Sequence, residues 1–219
     1  MKTYSVTITG KTPLLMHHDD IEWADEMSAW KDSPDHQKKS KPGDDRSPGW
    51  RWLGSLYHDG KVVCIPGDNL MRCLMEAGAM VPVPGGKSGK TFKSQTQSGC
   101  IVGEPFWPLV VNGKEIPIDG IMKLKGVDDF AKHQTAVAKL GFMLYLKRAK
   151  IRNSKHIRVR PRFDTWAASG SLSVWDEQLT LDVLRRIFTF GGQFKGLCDW
   201  RPGGKTPGPH GMFDVKVTE

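Results

Sequence analysis

The sequence predicts an α+β fold in which β-α-β-β-α-β order is interrupted by long loop insertions. Three observations predict it. Segments near both ends alternate apolar and polar residues with the period of a half-buried strand. Two internal segments instead space their apolar residues as one face of a helix does. The 24 Gly and 14 Pro among 219 residues, with a hydrophobic fraction of 38%, point to extensive loops around a core rather than to a helical bundle.

Residues 3–9 alternate, with Tyr4, Val6 and Ile8 on one face and Thr3, Ser5, Thr7 and Thr9 on the other. Gly10 and Pro13 punctuate this strand, and Leu14, Leu15 and Met16 lead into His17-His18-Asp19-Asp20. From about 19 to 60 the chain turns polar, which predicts an insertion; Trp23, Trp30, Trp50 and Trp52 keep it from being a plain linker. Residues 61–65 read as a short strand. A helix is expected over about 68–79, capped by Asp68, with Leu70, Met71, Leu74 and Met75 inward.

A second insertion is expected at about 82–151. It begins as a polar loop over 82–99 and contains two strands, 106–111 and 115–118, joined by the hairpin signal Asn112-Gly113. Over 136–146 the pattern fits a helix and a strand pair equally well. Residues 155–163 and 169–175 alternate again. Thr180 then caps a helix carrying Leu181, Val183, Leu184, Ile187 and Phe188, with Gly191-Gly192 as its stop. A Gly-rich loop through Gly196, Gly203, Gly204, Gly208 and Gly211 feeds a last strand at 212–218. The expectation is one domain over 1–219 with an RRM-like or ferredoxin-like core.

Lys plus Arg number 32 against 24 Asp plus Glu, a formal charge of +8, which favours an anionic partner. There is no run of 18 apolar residues and no basic-then-apolar N-terminal segment, so a cytoplasmic protein with no membrane association is expected. Cys64, Cys73, Cys100 and Cys198 show no CxxC spacing and read as reduced, mostly buried thiols. No metal and no cofactor is expected.

The densest chemical signal is 147–162, where Lys147, Arg148, Lys150, Arg152, Lys155, Arg158, Arg160 and Arg162 occur with no acidic residue. In a strand, Arg158, Arg160 and Arg162 share one face, a positive stripe for which phosphates are the natural counter-charge. The bland alternative is a solvated face paired with the chain's own carboxylates. Trp200-Arg201, inside the Gly-rich loop with Lys195 and Lys205, is placed to stack on or clamp a nucleotide, with core packing of Trp200 the equal alternative. Trp175 is expected in the core. The segment 84–91 imitates a P-loop but has Pro84 where that motif needs glycine, and nucleotide hydrolysis is rejected; Lys87, Lys90 and Lys93 read instead as a basic loop touching nucleic acid.

Three stretches sharpen the element order: Ile65-Pro66-Gly67-Asp68-Asn69-Leu70, the segment RVRPRF at 158–163, and 191–213 with Gly191-Gly192, Gly196, Trp200-Arg201-Pro202 and Gly211. Together they resemble the RAMP superfamily, the RRM-like proteins of CRISPR effector complexes, and among these the backbone subunits. The likeness covers roughly 1–16, 61–80 and 155–219 and leaves both insertions unmatched; Cys198 and Asp199 stand where a tidier member has more glycine. It implies an antiviral-defence protein that binds single-stranded nucleic acid, RNA over DNA, without catalysis. Such a protein would associate with itself along the strand and with other effector subunits, its insertions acting as finger-like or thumb-like elements. Cleaving members place a histidine or aspartate where His17, His18, Asp19 and Asp20 stand, so a metal-independent endoribonuclease is the enzymatic alternative. A phage single-stranded DNA binding or annealing protein and a scaffold for an acidic protein are the others.

Overall fold

β1 (Lys2–Gly10) buries Tyr4, Val6 and Ile8 and exposes the residues between them, as the alternation requires. In the computed structural model, which describes residues 1–37, 43–86, 89–151 and 154–219, the chain is an α+β fold with antiparallel sheets. The first half continues with β2 (Leu14–Leu15), α1 (Ile21–Asp32), α2 (Pro34–Gln37), a 3₁₀ turn (Arg51–Ser55), β3 (Cys64–Pro66) and α3 (Gly67–Gly78). Next come α4 (Lys93–Ser98), β4 (Cys100–Val102), β5 (Phe106–Pro108), β6 (Val110–Val111), β7 (Lys114–Glu115), α5 (Ile118–Met122) and α6 (Phe130–Lys139). The last third holds β8 (Met143–Ile151), β9 (Ser154–Phe163), β10 (Ala167–Val174), α7 (Leu181–Phe194) and β11 (Phe213–Thr218).

These elements form two compact units, one from 1–14, 64–115 and 164–219, the other from 15–63 and 116–163. Of the expected insertions, 19–60 falls within the second unit, and 82–151 is divided, with 82–115 in the first and 116–151 in the second. In the first unit the sheet runs β11-β1-β10-β6-β7, with β4 also paired to β10. Tyr4 lies opposite Leu172, and Val6 opposite Val217. Leu70 and Leu74 of α3, and Leu184 and Ile187 of α7, are fully buried, each such side chain contributing about 1.5–3 kcal/mol. Cys64, Cys73, Cys100 and Cys198 form no disulfide. Burial pushes the Cys73 thiol up to about 12 and that of Cys100 up to about 11, which keeps both protonated and unreactive at neutral pH.

Two helix-end expectations are corrected here. The cap of α3 is Pro66, with no side-chain bond, while Asp68 sits in the first turn, where its charge suits the helix dipole. Thr180 does cap α7, accepting from the Val183 N–H at 3.4 Å, but Gly191-Gly192 do not stop it, and the helix runs on to Phe194. Both glycines are there for close approach: a Cβ at 191 would come within 3.1 Å of Cys73 Sγ, and one at 192 would collide with the Phe213 carbonyl.

Other differences have similar local causes. Asn112 and Gly113 take φ of 51° and 77°, the left-handed pair a tight hairpin requires, yet they join only β6 and β7; β5 pairs with β3. The loop expected over 82–99 closes with a bridge between Pro82 and Thr91 and then forms α4, which buries Gln95 and Thr96. Trp175 is 50% exposed rather than in the core, because its indole N–H donates to the Ser98 carbonyl at 2.6 Å.

In the second unit a sheet of order β2-β9-β8 is accompanied by α1, α2, α5 and α6. The polar stretch expected as a loop contains α1, whose Asp20 cap accepts from the Trp23 N–H at 3.1 Å. The ambiguous region resolves into helix α6 followed by strand β8, with Gly141 at φ 87° between them. Trp52, Phe142 and Phe163 form the aromatic core, the last two stacked at 4.8 Å. Buried His133 is satisfied at both nitrogens. Trp52 can only donate, so Nδ1 accepts at 3.1 Å and Nε2–H donates to the Val127 carbonyl at 2.7 Å.

Candidate nucleic-acid interface

β8 and β9 form a long antiparallel hairpin, and its register decides where the charges go. Lys147 lies opposite Arg158, Tyr145 opposite Arg160 and Met143 opposite Arg162, so these six share one face. Val159, Pro161 and Phe163 are buried on the other, in agreement with the expected alternation. The Arg162 guanidinium lies 5.5 Å from the centre of the Tyr145 ring, a cation–π distance. Lys150 and Lys155 are opposite each other and exposed, and Arg148 is exposed as well. Arg152 lies outside the described residues.

Like charges facing one another across a ladder destabilise it, by up to about 1 kcal/mol per pair. The hairpin has two such pairs, Lys147 with Arg158 and Lys150 with Lys155. Relief comes in part from Asp45, a residue the sequence reading did not single out. Its buried carboxylate lies 3.1 Å from Arg158 Nη1, 3.5 Å from Arg51 Nη1 and 3.6 Å from Arg160 Nη1, and its Oδ2 accepts the Val159 N–H at 3.4 Å. A single Asp amid polar residues carries no signal of this role, since its partners on β9 lie more than a hundred positions away. The pairing alternative is thus realised for Arg158 and Arg160.

The structure also brings the histidine segment to this place. Arg160 Nη2 lies 3.1 Å from His17 Nε2; guanidinium has no lone pair to accept with, so it donates and His17 Nε2 accepts. That spends the lone pair a general base at Nε2 would use. Tyr57 donates its hydroxyl to the His17 carbonyl at 2.9 Å, and its ring lies 5.0 Å from that of His18. Asp20 is committed as the α1 cap, and Asp19 is exposed.

The remaining expected residues lie on the first unit, most of them in the loop after α7 and the rest at or before α4. Arg201 donates to both oxygens of Glu76, at 2.8 and 3.0 Å, and to the Lys195 carbonyl at 3.1 Å. Its side chain is 12% exposed, so it fixes the loop rather than projecting from it. Burial alone pushes the Glu76 carboxyl up, but hydrogen bonds from Arg201 and Arg72 outweigh it and hold the group below the usual carboxylate range. Cys198 and Trp200 adopt φ of 61° and 46°, uncommon for residues with a side chain. The Trp200 indole donates to the Pro207 carbonyl at 3.2 Å and lies 5.1 Å from the His210 ring. Lys205, Lys90 and Lys93 are exposed, Lys195 is half-buried, and Lys87 lies outside the described residues.

Among the described residues no helix is long and apolar enough to cross a membrane. Compared with known proteins, the sequence matches no family model and no curated protein.

Proposed function

We propose that the chain is a non-catalytic, RRM-like protein of RAMP type that binds single-stranded nucleic acid, RNA before DNA, and lines up with further copies along the strand. The observation that carries this reading is the cationic face of the β8–β9 hairpin. There Lys147 and Arg158 face each other and Arg160 and Arg162 follow on the same strand, a grouping of like charge that phosphates would neutralise. The core supports the same reading: β11-β1-β10-β4, counted along the chain, is the 4-1-3-2 order of a ferredoxin-like sheet, with α3 and α7 as the two crossing helices. The loop after α7, stiffened by Arg201 and Glu76, carries the exposed Lys205 as a second cation for phosphate contact. The endoribonuclease alternative draws no support from His17, whose Nε2 already accepts from Arg160.

The test is purification without nuclease, with absorbance at 260 and 280 nm and particle mass recorded before and after separate RNase and DNase digestion. A nucleic-acid-laden particle dissolved by RNase alone is the expected result. A clean monomer that ignores RNA and single-stranded DNA at low salt would overturn the reading; equal binding of both polymers would remove only the preference for RNA.

A further inference from the structure

β8 is paired along one side only, because its sheet runs β2-β9-β8. The bonds of β9 show which main-chain groups of β8 point to the other side. Ile157 donates its N–H to the Gly43 carbonyl at 2.8 Å and accepts from the Asp45 N–H at 3.0 Å, and the Val159 N–H donates to Asp45 Oδ2 at 3.4 Å. Both residues therefore turn their main-chain groups away from β8. Leu146 and Arg148 stand opposite Val159 and Ile157, and Lys150 lies two positions further along. Pairs of this kind exchange no main-chain bonds, and alternate residues of a strand point their N–H and C=O the same way. The N–H and C=O of Leu146, Arg148 and Lys150 thus face out of the sheet, where no main-chain or side-chain group among the described residues meets them.

Charge decides what docks there. Leu146, Arg148 and Lys150 are all exposed, and Lys155 lies opposite Lys150. Among the described residues no ion pair ties Arg148, Lys150 or Lys155 to a carboxylate. Cations on an edge strand guard it against pairing with its own kind. A second copy joined edge to edge would set Arg148 and Lys150 beside their like, which destabilises a ladder, whereas a strand of opposite charge is favoured. We infer that the outer edge of β8 is a docking site for an extended acidic segment of a partner protein, which adds a fourth strand to this three-stranded sheet. Met143 and Leu146, 44 and 39% exposed, supply apolar surface for that strand to cover. A polypeptide offers donors and acceptors in the alternation the edge requires. Phosphate groups can accept from the N–H groups but bring no donor to the carbonyls. The site does not rest on the strand-binding proposal, which uses side-chain charge and leaves these main-chain groups unused.

The test titrates the full chain into a fluorescently labelled peptide of about ten residues alternating Glu and Val, long enough to span the strand. Anisotropy at low salt reads affinity, and amide hydrogen exchange locates the contact. Binding is expected, with slowed exchange at Leu146, Arg148 and Lys150. Arg148→Gln removes a charge and keeps the N–H; Arg148→Pro removes both, and because that N–H faces away from β9 the existing ladder loses no bond. The proline variant is expected to bind about tenfold more weakly than the glutamine variant, the loss of one main-chain bond and of the pairing around it. Should Arg148→Pro fail to fold, Lys150→Pro against Lys150→Gln makes the same comparison. No binding, equal affinity of the folded proline and glutamine variants, or unchanged exchange along the edge overturns the site. Self-association of the chain that Arg148→Pro abolishes also overturns it, assigning the edge to a second copy. RNA that slows exchange at these amides where the peptide does not overturns it in favour of nucleic acid. Proline-sensitive peptide binding in a chain that ignores RNA and single-stranded DNA supports the site and overturns only the strand-binding proposal.

Discussion

Arg201 and Glu76 hold each other through two hydrogen bonds of 2.8 and 3.0 Å, joining the loop after α7 to α3 across 125 positions of sequence. Removing one partner of a largely buried pair leaves the other uncompensated, at about 3 kcal/mol. Glu76→Gln is therefore expected to lower the melting temperature by about 6–12 °C in a chain of this size. The pH dependence has a definite sign. The folded carboxyl is held below its unfolded value, so the stabilisation is present above the unfolded pKa of about 4.3 and fades as pH falls through the lower folded value. The wild type and Glu76→Gln should differ most near neutrality and converge in acid, as melting curves across that range would report.

The exposed outer part of the β8–β9 hairpin should govern nucleic-acid affinity with little effect on stability. Arg148, Lys150 and Lys155 are exposed and, by the register, stand on the face opposite Arg158, Arg160 and Arg162. Reversing all three to Glu thus tests whether the strand wraps the hairpin's outer end, and is expected to weaken binding by about 100-fold or more at low salt. The slope of log affinity against log salt should flatten alongside. Fluorescence anisotropy over a salt series measures both, and an unchanged slope in the folded triple variant would exclude the hairpin's outer end from the interface. Arg158→Glu is the wrong probe, since it sets a second carboxylate beside Asp45.

Gly192→Ala should destabilise although it lies inside a helix. Alanine is intrinsically the better helix former by about 1 kcal/mol, yet here its methyl group meets the Phe213 carbonyl of β11. Overpacking of this kind costs about 1–3 kcal/mol, so the melting temperature should fall rather than rise. A rise would show that α7 can move away from the last strand at no cost.

Much of the first unit was legible in the sequence because its strands have one wet face. Alternation in 3–9 and in 212–218 marked β1 and β11, and the spacing of Leu184, Ile187 and Phe188 marked α7. Where one residue does two jobs the reading failed. Gly191 and Gly192 look like a helix stop and are contact points. The second unit was harder, since its core is made of indoles and rings drawn from two distant segments, and Trp50 and Trp52 among polar neighbours carry no periodicity. For the candidate site, the face shared by Arg158, Arg160 and Arg162 followed from strand geometry alone. Asp45, Arg51 and His17 reach that face through tertiary packing, which no local spacing announces.

The position of β1 in its sheet bears on how the protein is made. Both of its neighbours, β10 and β11, come from the last quarter of the chain. Once synthesised, β1 thus waits, with both edges bare, until more than 160 further residues have been translated. Through that interval its apolar face and unpaired backbone are open to other chains, which makes synthesis, rather than the finished fold, the stage at which holdase chaperones matter most. Deleting β11 would leave one edge of β1 bare permanently, and such a truncation should be recovered from cells as aggregate.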